Sequence, residues 1–248
     1  MGQLIILSGP SCVGKSPLNK ALARFYPHLH KGLQHLVLYN SRSPRPGEED
    51  GVDYHFRQRK EIDALGKKEQ FVVMEVRGDL QALDIDELKN QLKRGDVFFE
   101  GNPFVGRVLQ THESLQEISK LSAFMSPVSR EEIVELTHPH NHADARKIIT
   151  DIMRRKLLRR TRKQKGELSL KDLENIETRA GSAFAELKEA THFDHIIPNH
   201  DGEDSENWDA FYYPMGDARK ALRAFAGLLE GKVSPDIEKW EANLIQPS

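Results

Sequence analysis

Eight residues, Gly9-Pro10-Ser11-Cys12-Val13-Gly14-Lys15-Ser16, have the types and the G-x-x-x-x-G-K-S spacing that hold a phosphate chain. Gly9 and Gly14 allow backbone dihedrals that other residues avoid, so the N–H groups of Ser11, Cys12 and Val13 can turn toward one anion. A helix start behind the loop adds a partial positive charge. Lys15 has the reach to bridge the β- and γ-phosphates of ATP, and the Ser16 hydroxyl is a ligand for Mg²⁺. Pro17 falls in the first helical turn, where its missing N–H had no helical partner. The alternative is a glycine-rich turn that binds nothing.

The elements around the loop argue against that alternative. An apolar run, Leu4-Ile5-Ile6-Leu7, leads into it, and a helical pattern over residues 18–25 leads out. Short apolar runs at 35–39, 97–100, 121–126 and 195–197 predict further buried strands. Helical patterns cover 84–94, 129–136, 143–163, 170–190 and 217–229. Such alternation predicts an α/β, P-loop NTPase-like fold, a parallel five-stranded sheet with helices on both faces. Its ligand belongs at the carboxyl ends of the strands. Residues 41–80 break the rhythm. There a turn, Ser43-Pro44-Arg45-Pro46-Gly47, precedes alternating residues 52–56 and 71–74, which read as short antiparallel strands overhanging the loop. Residues 233–248, with Trp240, read as a tail helix with a frayed end.

Bulk properties narrow the class. The chain has 248 residues, 30% charged and 38% hydrophobic, which describes a globular protein rather than a disordered one. Its net charge of −2 makes no global case for nucleic acid. Cys12 is the only cysteine, so no intramolecular disulfide forms. In the loop it reads as a small residue rather than a redox switch. The first strand starts almost at once, leaving no room for a signal peptide, and Ile6 stands where myristoylation wants Ser or Thr. No apolar run approaches a membrane span. The expected location is the cytoplasm.

A second motif follows: Ser41-Arg42-Ser43-Pro44-Arg45-Pro46-Gly47-Glu48, then Gly51-Val52-Asp53-Tyr54-His55-Phe56. Two guanidiniums three residues apart in a proline-stiffened turn can fork onto one phosphate, with the Tyr54 hydroxyl as a further donor. Together with the phosphate loop, this string closely resembles the guanylate kinase family. The resemblance implies that Arg42, Arg45 and Tyr54 hold the phosphate of an acceptor nucleotide. It places Glu100, after the strand Val97-Phe98-Phe99, near the metal and acceptor. Glu177-Thr178-Arg179 matches the helix whose arginine reaches both phosphate chains, and Asn199 matches the residue beside adenine. Residues 146–165, rich in Arg and Lys, match an arginine-bearing lid, from which Arg154 or Arg155 would enter the site. The implied organisation is a core of 1–40, 84–137 and 181–230, an acceptor domain of 41–83, a basic helical lid of 138–180 and a tail of 231–248.

The chain departs from the family where guanine is read. The family glutamate expected within Phe71-Val72-Val73-Met74 is missing, and Glu75 is the nearest carboxylate. The G-N-Y-Y-G-S/T motif becomes Gly78-Asp79-Leu80-Gln81-Ala82-Leu83, and the second acid after Glu100 becomes Asn102. Phosphate chemistry is therefore expected to persist while base recognition differs.

The expectation is an ATP- and Mg²⁺-dependent phosphotransferase. Lys15, Arg42, Arg45, Arg179 and Arg154 would screen charge, and GMP or dGMP is the first acceptor to consider. Another nucleotide, or a sugar phosphate of the ribose bisphosphate kind, is the runner-up. Two other classes remain, a non-catalytic phospholigand-binding module and a nucleic-acid protein using the basic lid. The intact Gly14-Lys15-Ser16 argues against the first, and the lack of aromatics among the lid charges against the second. His138-Pro139-His140-Asn141-His142 reads as a polar loop before a zinc site. Trp208, Phe211, Tyr212 and Tyr213 read as packed against the body first, and as stacking on a ligand or in a homodimer second.

Overall fold

Leu4 to Ser8 are buried without exception, as in a strand covered on both faces. In the computed structural model, which describes residues 2–45, 47–138, 140 and 144–245, this strand is the centre of the main sheet. The first elements are β1 (Leu4–Ser8), α1 (Lys15–Phe25), α2 (Pro27–His30), β2 (Gln34–His35), β3 (Leu38–Asn40) and β4 (Tyr54–Phe56). Next come α3 (Arg59–Leu65), β5 (Phe71–Val76), β6 (Asp79–Asp84), α4 (Ile85–Arg94), β7 (Val97–Gly101) and α5 (Pro103–Thr111). The last are β8 (Lys120–Ser126), α6 (Arg130–Thr137), α7 (Ala145–Lys165), α8 (Leu170–Lys188), β9 (His195–Pro198) and α9 (Gly216–Leu229).

The main sheet runs β2-β7-β1-β8-β9, and every pairing is parallel. Alternation along β1 divides the core. Leu4 and Ile6 join Val105 of α5, Met153 and Leu157 of α7 and Leu187 of α8. Ile5 and Leu7 join Leu18 and Leu22 of α1 and Leu222 and Phe225 of α9. Helices cover both faces, as the strand-helix alternation predicts. Helix starts are marked by side chains: Asp84 caps α4, and Ser129 and Ser169 form capping boxes on α6 and α8.

Three local expectations change. The predicted strand over 35–39 divides: Gln34–His35 pairs with β7, the chain leaves after Leu36, and Leu38–Asn40 enters a second sheet. That second sheet, ordered β4-β3-β6-β5, is mixed rather than antiparallel, because β3 and β4 run parallel. The long link over residues 41–53 permits this, since a parallel pair needs a crossover. The tail forms no helix among its described residues. Instead Glu238 exchanges two 2.8 Å backbone bonds with Ile196, and Trp240 is buried. The open edge of β9 offers backbone groups that the tail satisfies.

One buried carboxylate ties the second sheet to the core. Arg77 and Gly78, both at positive φ, form the two-residue turn between β5 and β6. From that turn Arg77 Nε donates to Glu186 Oε1 at 2.7 Å and to Ser182 Oγ at 3.0 Å on α8. Asn102 Nδ2, at the start of α5, donates to the same Glu186 oxygen at 3.0 Å. Glu186 is fully buried. Replacing it with alanine strands the half-buried Arg77 guanidinium and unpairs Asn102, so Glu186→Ala is expected to lower unfolding free energy by about 2 kcal/mol. A fall in the urea midpoint checks this, and a loss under about 0.5 kcal/mol would show the hub to be dispensable.

A second tie holds the loop after β9. His200 meets Asp217 of α9 through Nδ1 at 2.6 Å and Glu132 of α6 through Nε2 at 2.8 Å. Burial opposes its charge, but the bonds to Glu132 and Asp217 outweigh burial and raise its pKa. The stabilisation is therefore full below the unfolded value of about 6.5 and disappears as pH rises through the raised folded value. The stability gap between wild type and His200→Gln is expected to narrow from about pH 6 to about pH 9, measured by denaturation at each pH. A gap independent of pH would contradict it.

Candidate active site

The phosphate-loop residues meet where β1 ends and α1 begins. Gly14 caps α1 in the left-handed region, at φ 108, with no acidic residue in the first turn and no side-chain cap. A Cβ there would lie 2.6 Å from Asn199 Nδ2 and 3.0 Å from Asp201 O, so both conformation and space demand glycine. Lys15 Nζ donates to the carbonyls of Gly9 at 2.8 Å and Pro10 at 2.9 Å. Burial lowers its pKa, with Glu203 the strongest of the carboxylates pulling it back. Cys12 and Val13 are buried behind the loop. Burial, reinforced by Glu203, pushes the Cys12 thiol up to about 12, which leaves no reactive thiolate at neutral pH.

The loop opens onto a cavity of about 1000 Å³, walled by the second sheet and the α7–α8 pair. Gly9, Ser11, Lys15 and Ser16 line it, and so do Arg42, Arg45 and Tyr54. Glu48 aims Arg42 through paired bonds, Nη1 to Oε2 at 2.6 Å and Nη2 to Oε1 at 2.7 Å. The Arg42 guanidinium lies 5.1 Å from the Tyr54 ring and 5.4 Å from the Phe56 ring. Glu48 also accepts from Arg45 N at 2.7 Å, so one carboxylate shapes the whole turn.

Arg179, Arg160 and Arg77 also line the cavity. Arg179 Nε donates to Ser11 Oγ at 3.0 Å. Burial, then the charges of Arg160, Arg45 and Arg77, lower its pKa to about 9. Crowded guanidiniums in a shared concavity repel one another, and a polyanion between them relieves that repulsion. Ser16 Oγ donates to Glu100 Oε1 at 2.7 Å, and burial raises the Glu100 pKa. Two oxygen donors beside the loop suit a hard cation such as Mg²⁺, with phosphate and water completing its shell. No cluster of three or more His, Cys, Asp or Glu suited to a metal occurs among the described residues.

Several expected residues stand elsewhere. Arg154 is not on the cavity wall; its guanidinium pairs with Glu177 at 2.7 Å and with Asp151. Glu75 is exposed, 3.7 Å from Arg59, and does not line the cavity. Asn199 braces the loop from behind, its Nδ2 donating to Val13 O and Asp201 O at 2.7 Å each. Asn102 lines the cavity, but its Oδ1 caps α5 through Phe104 N and its Nδ2 serves Glu186. Trp208 Nε1 bonds to Asp201 O at 2.8 Å, and Tyr213 packs on Phe25, while Phe211 and Tyr212 are exposed. The His138 and His140 rings lie 5.1 Å apart, tilted by 39°; Pro139, Asn141 and His142 lie outside the described residues. Sequence reasoning missed Arg77 and Glu203 and preferred Arg154 to Arg160. The spacing of buried Ile149, Met153 and Leu157 already places Arg160 on the inner face of α7.

Comparison with known proteins gives one consistent result. The family model described as Guanylate kinase matches residues 1–156. The guanylate kinase of Bacillus cereus (strain ZK / E33L) is 39% identical over 101 residues, 40% of this chain and 48% of that protein. In such alignments the chain spans about half the relative's length. The guanylate kinase of Rickettsia bellii (strain RML369-C) is 28% identical over 206 residues, 82% of this chain and 89% of that protein. A crystal structure of guanylate kinase from Anaplasma phagocytophilum superposes with a TM-score of 0.52 at 17% identity. It covers 95% of this chain and 88% of that one, a likeness of fold. With more than half of its length matched by the family model, the chain belongs to the guanylate kinase family.

Proposed function

We propose that the chain moves the γ-phosphoryl group of ATP onto a phosphorylated acceptor, with GMP or dGMP the first choice. The observation carrying this reading is that Lys15 and Ser16 line one cavity together with Arg42, Arg45, Tyr54 and Arg179. The loop N–H groups and the α1 N-terminus would hold the ATP phosphates. Lys15 would exchange the carbonyls of Gly9 and Pro10 for β- and γ-oxygens. Arg42, Arg45 and Tyr54 would hold the acceptor phosphate, whose oxygen forms the new bond to Pγ as the bond from Pγ to the β–γ bridging oxygen breaks. ADP leaves with that oxygen. The attacking group is already anionic, so no general base is required. Arg179, freed of crowding by the incoming phosphates, would follow the charge on the transferred group. Bound beside Ser16 and Glu100, Mg²⁺ would supply neutralisation of the phosphate oxygens.

Residues 41–83 would act as the acceptor domain and 138–180 as a lid, the two closing on the core. Asn40, Asp79 and Gln81 also line the cavity and offer oxygen acceptors for guanine N–H groups. A second reading, a different phosphorylated acceptor such as a sugar phosphate, is favoured by one observation. None of Phe71, Val72, Val73 or Met74 lines the cavity. No helix among the described residues is long and apolar enough to cross a membrane, and a reducing cytoplasm is the proposed setting. The exposed Phe211 and Tyr212 are where a homodimer contact would be sought.

An ADP-release assay across nucleoside monophosphates and sugar phosphates tests the reading. Lys15→Ala is expected to lower kcat at least ~100-fold. Arg42→Ala is expected to raise the acceptor KM by ~10-fold or more while leaving the ATP KM within ~3-fold. Turnover of another acceptor with GMP inert would select the second reading. ATP binding without turnover of any acceptor would replace both with a binding module.

A further inference from the structure

One cavity-lining group has no part in the proposed transfer. Glu203, in the segment between β9 and α9, projects a carboxylate into the cationic cavity. Arg160 Nη1 donates to its Oε2 at 2.7 Å. Its backbone is fixed to the phosphate loop, Glu203 N donating to Cys12 O at 3.2 Å. Among the carboxylates, Glu203 exerts the strongest pull on Lys15, and its charge also acts on Arg179. An anion placed to act on the loop lysine and two cavity arginines stands where phosphate oxygens are expected.

The pairing is also incomplete. Arg160 Nε is buried with no hydrogen-bond partner among the described residues. A guanidinium using only one edge donor on a carboxylate can gain a second from a phosphate. The loop does not depend on the Glu203 side chain for its position. Asp204 is held by Arg159 at 2.7 Å, and Ser205 Oγ donates to Asp201 Oδ1 at 2.8 Å. The Glu203 side chain can therefore turn away while the backbone stays.

We propose that Glu203 is a tethered counter-anion of this cavity, paired with Arg160 in the free protein and displaced by the polyphosphate of an incoming nucleotide. Its negative charge then lowers polyphosphate affinity, because only the fraction of molecules with Glu203 turned out is competent to bind. The inference rests on the cavity being a polyphosphate site and stands apart from whether transfer follows.

Calorimetric titration with inorganic tripolyphosphate at one fixed ionic strength tests it without any catalytic step. Glu203→Gln, which keeps size and a hydrogen-bond acceptor for Arg160, is expected to bind tripolyphosphate about threefold to tenfold tighter than wild type. Glu203→Asp, which keeps the charge, is expected to stay within about twofold of wild type. Equal or weaker binding by Glu203→Gln, including no binding by either protein, would overturn the proposal. Equal tightening by both variants would also overturn it, since loop packing rather than charge would then be the cause. A failed kinase reading would appear instead in the ADP-release assay, with these affinities unchanged.

Discussion

Positive charge concentrated in a single concavity is the constraint around which this molecule is built. Lys15, Arg42, Arg45, Arg77, Arg160 and Arg179 all line it. Guanidiniums so close would push one another out of place, and three are held by carboxylates of their own. Glu48 holds Arg42, Glu186 holds Arg77 and Glu203 holds Arg160. The Arg179 guanidinium donates to the Ser11 hydroxyl and forms no ion pair with a carboxylate among the described residues, and its pKa is lowered to about 9. The arginine with least local compensation is therefore the one with most to gain from an incoming anion.

The holding carboxylates come from different parts of the chain, which joins electrostatics to architecture. Glu48 belongs to the turn it orders, so the Arg42 wall is locally determined. Glu186 sits on α8 and reaches both the β5–β6 turn and the start of α5. The position of the second sheet relative to the phosphate loop thus depends on a helix distant in sequence. The net charge of −2 conceals all of this, because a whole-chain sum says nothing about one concavity.

Much of the site was legible because its signals are local. The phosphate loop and the Arg42–Tyr54 string are contiguous motifs, and apolar periodicity revealed the parallel sheet. What escaped depended on contacts across the chain. Arg77 reads as an ordinary turn residue until Glu186, 109 positions away, is seen against it. Arg154 and Arg160 share a basic run, and composition does not separate them. Arg154 is one residue past buried Met153, about 100° around the helix, whereas Arg160 returns to the face of Met153 and Lys156. Helix α5 was missed although Asn102-Pro103 is a start signal, because the short run after it reads equally as strand or helix. The tail was misread for a related reason. Its conformation is set by the unpaired edge of β9, which no pattern within residues 233–245 reveals.

That edge has a consequence for how molecules of this protein meet. A parallel sheet with a bare flank is a template on which a second chain can polymerise. Here one flank is β2, only two residues long, too short to seed such growth. The other flank is β9, already paired with Glu238 and ending at Pro198, which has no N–H to offer. Neither flank of the main sheet therefore offers a long unpaired edge for lateral recruitment of another copy.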